Sequence, residues 1–140
     1  FETLRQMRNE ARRKYVAPLR ERIEKLGRYV FEESFGVELS DDLQVQSRTL
    51  DGRTVPFRDL SVGTQEQISV ITRLACAMTV SPNGGVPVVL DDALGYSDPE
   101  RLQQMGAVLA RAGREMQVIV LTCMPDRYRN VGGAHVVRLG

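Results

Sequence analysis

The sequence predicts an α/β fold with parallel strands and flanking helices, and two apolar runs carry that prediction. "VPVVL" at 86–90 and "QVIVLT" at 117–122 are short, rich in β-branched residues and typical of buried strands. A helical pattern opening at "SDPERL" lies between them. Two buried strands joined through a helix predict a parallel βαβ unit, with functional side chains expected after Leu90 and Thr122, where the strands end.

Residues 1–34 are predicted to form a helical arm. Apolar residues at heptad-like spacing form one stripe on it, Val16, Leu19, Ile23, Leu26 and Val30, and an earlier stripe is out of phase, Leu4, Met7 and Ala11. Pro18 predicts a kink or a restart near Ala17. The pattern fits a helix that packs on its own domain and equally the returning end of a coiled coil that enters a globular head.

Residues 35–140 are predicted to form the globular part, which begins where Gly36 ends the arm. "LQVQSRT" and "TVPF" alternate apolar and polar residues on either side of Asp51-Gly52, which predicts a β-hairpin. A helix is expected after it, with its apolar residues at Ile68, Ile71, Leu74, Ala75 and Met78, and "SPNGG" ends it. The next helix is expected to begin with Ser97 or Asp98 as its cap and to end at Gly113. His135 lies in "AHVVRL", which is expected to be the last strand, and is interpreted as a structural residue.

The start of the first globular helix, "LSVGTQEQ" at 60–67, allows two interpretations. Thr64 and Gln67 have the spacing of a capping box, which is a purely structural role. Ser61 and Gly63 add a hydroxyl group and a closely approaching backbone where free N–H groups and the positive end of the helix dipole favour an anion. A capped surface helix and a phosphate site are therefore both possible.

Composition excludes several classes of protein. The chain has 140 residues, 42% of them hydrophobic, and a net charge of +1, which predicts one domain or part of one. Residues 1–30 contain nine basic and four acidic residues, which fits a solvated helix face or a DNA contact. There is no signal pattern and no apolar run of about 18 residues, so neither secretion nor a membrane partner is expected.

The cysteines and the first residue also bear on the class of protein. Cys76 and Cys123 form no CxxC pair, which predicts a reduced, cytoplasmic environment and gives no zinc framework. Because the chain begins with Phe1, it is expected to be a segment of a longer protein.

Paired carboxylates come directly after the first buried strand, in "VVLDDALGYSD". At a strand tip, one of Asp91 and Asp92 can hold a hydrated Mg²⁺ while the other orients a water molecule. By itself this pattern occurs in several phosphate-handling folds.

Four motifs together resemble the ABC-type ATPases. Residues 60–67 resemble the LSxGxxxQ signature, and "RLACA" at 73–77 resembles the next turns of the same helix in SMC, RecN, SbcC and YhaN-like members. "VVLDDALGYSD" resembles a Walker B strand leading into a D-loop, and "QVIVLTCMP" resembles the switch strand. The motifs occur in the family's order over roughly residues 20–140, which corresponds to the C-terminal lobe of a P-loop ATPase head.

The resemblance implies ATP and Mg²⁺ as cofactors and assigns residues to each. Asp91 would hold Mg²⁺ through water, and Asp92 would occupy the position of the catalytic carboxylate. Residues of the signature and of two later loops would contact nucleotide or the dimer seam: Ser61, Gly63, Thr64, Gln65, Asp98 and Met124. Ser61 and Gly63 would grip the γ-phosphate of ATP bound to a second head, so that two heads enclose two nucleotides.

Three departures from the family shape the expected activity. Asp92 is one methylene shorter than the Glu that is common there, and Met124 replaces the switch His with a side chain that cannot donate a hydrogen bond. No GxxxxGK[ST] loop is present. The chain alone is therefore expected not to hydrolyse ATP, and its first partner is expected to be an N-terminal half of the same head that carries this loop.

The function predicted from the sequence is that of the C-terminal half of an SMC/RecN-like ATP-binding head in DNA repair or chromosome maintenance, with a second head and DNA as further partners. Two alternatives remain open, a fragment of an ABC transporter ATPase and a non-catalytic dimerisation module that retains the motifs.

Overall fold

The computed structural model describes residues 1–140, which form three helices and five strands. The helices are α1 (Glu2–Gly27), α2 (Val62–Val80) and α3 (Pro99–Ala112). The strands are β1 (Gly36–Leu39), β2 (Val45–Leu50), β3 (Arg53–Pro56), β4 (Val88–Asp91) and β5 (Val118–Leu121). The α/β class is confirmed.

The helix α1 is continuous, so of the kink or restart predicted near Ala17 the restart is wrong. Pro18 lies inside it, at the point where the helix passes from solvent onto the domain. From Leu19 onward the stripe that includes Ile23 and Leu26 is buried against α2 and the first sheet. The earlier stripe is exposed, with Leu4 70% accessible. The second half of the arm therefore packs on its own domain, while the apolar stripe of its first half is left exposed.

The helix α1 ends at Gly27, earlier than the arm predicted from the sequence. A Cβ at position 27 would lie 2.1 Å from Cε1 of Phe35, so only glycine lets the Phe35 ring pack against the end of the helix. Phe31 stacks on Phe35 with a centroid distance of 4.8 Å. This aromatic pair turns the chain from α1 into β1.

The predicted hairpin is confirmed, and it belongs to a larger sheet. The strands β2 and β3 pair antiparallel around Asp51 and Gly52, whose φ angles of 49° and 73° are those of a type I′ turn. The strand β1 adds to β2 on the other side, which the sequence pattern did not predict. The predicted last strand is wrong, because residues 134–140, including His135, form no strand and are exposed.

The parallel βαβ unit is confirmed, because β4 and β5 pair in parallel with α3 between them along the chain. One face of this two-stranded sheet carries Leu90, which is fully buried. The other face carries Val89, Ile119 and Leu121, which are 45%, 37% and 45% exposed. Since parallel sheets are normally covered on both faces, this one has an uncovered apolar face.

Candidate functional site

The N-terminus of α2 is capped by Ser61 and not, as expected, by Thr64. The Ser61 hydroxyl oxygen accepts a hydrogen bond from the Thr64 N–H at 3.2 Å and donates one to the Thr64 Oγ1 at 2.8 Å. Ser61 has the extended backbone of a cap residue, and Thr64 lies in the first turn. The capping box that the spacing of Thr64 and Gln67 allowed therefore does not form.

Hydrogen bonds fix the start of α2 to residues Ala93–Ser97, the loop that follows β4. The Glu66 carboxylate accepts hydrogen bonds from the backbone N–H groups of Leu94, at 2.9 Å, and Tyr96, at 3.4 Å. The Gln67 amide, which is buried, donates to the Ser97 hydroxyl at 2.8 Å. The signature-like helix and the loop after the strand tip are thus joined by three hydrogen bonds within one chain.

Gly63 allows the backbone of α2 to approach this loop. A Cβ there would lie 2.6 Å from the Tyr96 carbonyl oxygen, closer than real Cβ contacts allow. Gln65 instead holds the preceding segment, since its side-chain amide donates to the carbonyl groups of Leu60 and Arg58. Glycine at position 63 is therefore explained by packing within the chain.

The two carboxylates at the tip of β4 have different surroundings. Asp91 is the last residue of the strand, is exposed and makes no ion pair or hydrogen bond through its side chain. Asp92 has a left-handed backbone, with φ of 47°, and its N–H donates to the Leu121 carbonyl at 2.8 Å. Its Oδ1 accepts hydrogen bonds from the Thr122 hydroxyl and from the Arg127 guanidinium, each at 3.3 Å.

A short 3-10 turn after β5, Pro125–Tyr128, packs against this tip. The Arg127 guanidinium also donates to the Ala93 carbonyl at 3.4 Å and to the Met124 sulfur at 3.3 Å. The Tyr128 hydroxyl donates to the same Ala93 carbonyl. Burial is the main cause that raises the pKa of Tyr128, and the negative charges of Asp92 and Glu66 add to it while Arg127 opposes it.

The structure brings together some of the residues predicted from the sequence and separates others. Asp92 and Met124 meet through Arg127, whereas Asp91 contacts neither. Asp98 caps α3 by accepting a hydrogen bond from the Arg101 N–H at 2.9 Å, which decides between the two expected caps. Gly113 ends that helix as expected.

Three residues at the site were not predicted from the sequence: Glu66, Arg127 and Tyr128. Glu66 lies inside the signature-like stretch, and Arg127 comes three residues after Met124. Proximity to these motifs was the only feature of the sequence that could have identified them as site residues. Their partners lie 28 to 35 residues away in the chain, which no local pattern reveals.

The donor set for a divalent cation is small. The structure contains no cluster of three or more His, Cys, Asp or Glu side chains suited to a metal. Mg²⁺ is nevertheless commonly held by one or two carboxylates together with water and substrate phosphates. The unpaired, exposed Asp91 fits a site of that kind, and it does not fit a cage built from protein ligands alone.

Comparison with known proteins finds relatives that are much longer than this chain. No protein-family model matches it. It is 52% identical over 132 residues to the uncharacterised protein Rv1278 of Mycobacterium tuberculosis and to the uncharacterised protein Mb1309 of Mycobacterium bovis, covering 94% of this chain. The chain spans about 15% of the length of each. It is also 35% identical over 89 residues to the uncharacterised protein YhaN of Bacillus subtilis, covering 61% of this chain and 9% of that protein.

No helix in the structure combines the length and apolar character that crossing a membrane requires.

Proposed function

We propose that this chain is the C-terminal half of an ATP-binding head of the SMC, RecN, SbcC and YhaN-like kind, which dimerises around ATP and hydrolyses it together with an N-terminal half. The observation that carries the proposal is the joining of two motifs at one place. The signature-like start of α2 is hydrogen-bonded through Glu66 to the loop that leaves the strand tip of Asp91 and Asp92.

Two unpartnered surfaces support a larger head. The face of the β4–β5 sheet formed by Val89, Ile119 and Leu121 is apolar and exposed, as expected if further strands or helices cover it. The exposed first half of α1, with Leu4 and Met7, fits the root of a coiled coil that has a second helix beside it. Both surfaces are consistent with relatives that are several times longer than this chain.

The two carboxylates would have separate tasks. Asp91, which is free of internal partners, would hold Mg²⁺ through water. Asp92, fixed on one oxygen by Thr122 and Arg127, would orient a water molecule with the other. When bound, Mg²⁺ would neutralise developing charge on the nucleotide phosphates.

Ser61 would serve a nucleotide held by the second head. Its hydroxyl oxygen can keep the hydrogen bond that it accepts from the Thr64 N–H while its proton turns from Thr64 Oγ1 to a phosphate oxygen. Gly63, Thr64 and Gln65 would form the rest of this surface and Asp98 would lie near the seam. Capping and phosphate contact are therefore chemically compatible at this position.

The phosphate loop itself would come from the N-terminal half, because this chain has no GxxxxGK[ST] stretch. The role of the complete protein would be in DNA repair or chromosome maintenance in the cytoplasm. The basic excess of residues 1–30 is the feature that favours DNA as a partner.

A non-catalytic dimerisation module is the second candidate, and Met124 favours it. A thioether cannot donate a hydrogen bond to a phosphate or accept a proton near neutral pH. The two candidates predict the same folded structure and the same dimer, and they differ only in turnover.

The test uses the complete protein that contains this chain, with ATP binding and Mg²⁺-dependent phosphate release measured separately. Asp92→Asn is expected to slow hydrolysis and preserve ATP binding, whereas Asp91→Asn is expected to weaken Mg²⁺-dependent binding. Asp41→Asn, an exposed carboxylate in the loop after β1, is the control and should change neither. Turnover that neither site variant affects would contradict the assignment, and ATP binding without any turnover would favour the non-catalytic module.

A further inference from the structure

Arg127 is the most enclosed charged side chain in an ion pair of this structure. It is 15% exposed, although it comes after a solvent-accessible loop, and it lies beneath the backbone of Ala93–Gly95. Its three side-chain hydrogen bonds go to Asp92 and Ala93 at the strand tip and to Met124 beside its own turn. Arg127 therefore links the 3-10 turn, on which it lies, to the tip of β4.

The contacts of Asp92 are all on one oxygen. Thr122 and Arg127 both donate to Oδ1, whereas Oδ2 accepts no hydrogen bond within the chain. The Asp92 side chain as a whole is 53% exposed, so solvent reaches this carboxylate. The carboxylate is thus held within the chain through Oδ1 alone.

The ion pair between Arg127 and Asp92 should contribute more than a fully exposed one. Exposed pairs contribute little because water screens them and both side chains lose entropy. Here the guanidinium is already confined by two other acceptors, so its pairing with Asp92 requires little further ordering. The other donor to Asp92, the Thr122 hydroxyl, is itself oriented because its oxygen accepts a hydrogen bond from the Met124 N–H at 2.9 Å.

We infer that Arg127 is a positioning residue for Asp92: it fixes Oδ1 and thereby directs Oδ2 toward the water molecule that attacks the nucleotide. This inference rests on the proposed function, since it gives a partner to the carboxylate assigned there. It assigns no contact between Arg127 and nucleotide. Loss of Arg127 should consequently affect turnover and leave nucleotide affinity unchanged.

The experiment measures kcat for Mg²⁺-dependent ATP hydrolysis and the Kd for ATP in the complete protein, for Arg127→Met, Arg127→Lys and Arg129→Met. Arg127→Met is expected to lower kcat about 10- to 100-fold with Kd changed less than about twofold, because a misplaced catalytic group loses rate and not binding. Arg127→Lys should recover part of the rate, since it restores the charge without the planar fork. Arg129→Met is the matched control on the same turn, because the Arg129 side chain donates only to the Asp126 carbonyl.

A double-mutant cycle separates positioning from a general loss of structure. In the Asp92→Asn background, Arg127→Met should cause no further loss of kcat, because Arg127 acts through the Asp92 carboxylate. Losses that multiply in the double variant, or a full rate in Arg127→Met, would overturn the inference while the proposed function stands. If Arg127→Met fails to fold, the Lys variant carries the same comparison. A wild-type protein that binds and hydrolyses no ATP would instead overturn the proposed function, and this inference with it.

Discussion

Gly63 at the start of α2 touches the carbonyl group of Tyr96 so closely that a Cβ at position 63 would lie 2.6 Å from its oxygen. The contact joins the helix to the loop after β4, where Glu66 and Gln67 add hydrogen bonds. The backbone at Tyr96 cannot move away without disturbing those bonds. The packing of Gly63 therefore sets the distance between the signature-like start of α2 and the loop after β4.

Gly63→Ala should lower the free energy of unfolding by about 1–2 kcal/mol. Overpacking against backbone costs roughly 1–3 kcal/mol, which exceeds the gain of at most about 1 kcal/mol that alanine brings to a helix. Urea unfolding of the chain measures the change. Gly132→Ala is the control, because nothing lies within 4 Å of a Cβ there, and it should be neutral. Equal stability of the two variants would show that the loop at Tyr96 moves to accommodate the added methyl group.

Tyr128 provides a pH-dependent test of the packing between the 3-10 turn and the strand tip. At neutral pH, Tyr128→Phe should cost about 1 kcal/mol, because the hydrogen bond to the Ala93 carbonyl is lost. Burial raises the pKa of Tyr128 in the folded chain. The unfolded chain therefore loses this proton first, and the stabilising contribution is complete below about pH 10 and lost as pH rises above it.

The stability gap between wild type and Tyr128→Phe should accordingly narrow above about pH 10. Chemical denaturation at several pH values measures the gap, and Tyr15→Phe, on the exposed part of α1, is the control that should match wild type throughout. A gap that stays constant through this range would mean that Tyr128 ionises equally in both states.

The sequence predicted those elements whose signals are local. The Asp51-Gly52 turn, the apolar runs of β4 and β5, and the Asp98 and Gly113 ends of α3 each depend on a few adjacent residues. The parallel pairing of β4 and β5 was inferred from the helix between them. Such features need no knowledge of distant contacts.

The parts that the sequence did not predict depend on tertiary packing. Ser61 and Thr64 are both hydroxyl residues suited to a cap, and the choice is set by the buried Leu60 and by Gln65, which holds the segment before the helix. Arg127 reaches Asp92 across 35 residues of chain. The stretch at His135 has the pattern of a strand, but no strand of this chain pairs with it.

The chain alone should show no ATPase activity. Hydrolysis requires a lysine-bearing loop to hold the β- and γ-phosphates, and none is present. Phosphate release from purified chain with Mg²⁺ and ATP measures this, and the complete protein serves as the positive control. Mg²⁺-dependent turnover by the chain that Asp92→Asn removes would contradict the prediction, because a contaminating enzyme would not respond to that substitution.

Ser61 has two roles to separate, the cap that the structure contains and the phosphate contact that we propose. Ser61→Asp keeps a good cap for the Thr64 N–H but places a negative charge where a phosphate of the second head would lie. Ser61→Ala removes the cap, at a cost of about 1 kcal/mol, and adds no charge. Ser61→Asp is therefore expected to impair dimerisation and spare stability. Ser61→Ala is expected to lower stability more than dimerisation.

If Ser61 contacts the nucleotide, Ser61→Asp should melt like wild type yet form no ATP-dependent dimer, whereas Ser61→Ala should melt lower and still dimerise in part. Ser61→Arg should also abolish dimerisation, because its bulky cation intrudes on the seam, while ATP binding within one head persists. Sedimentation of the complete protein with ATP in the slow-hydrolysing Asp92→Asn background, with thermal melts of the same samples, measures both properties. Undiminished ATP-dependent dimers in Ser61→Asp and Ser61→Arg would leave Ser61 with the role of a helix cap alone.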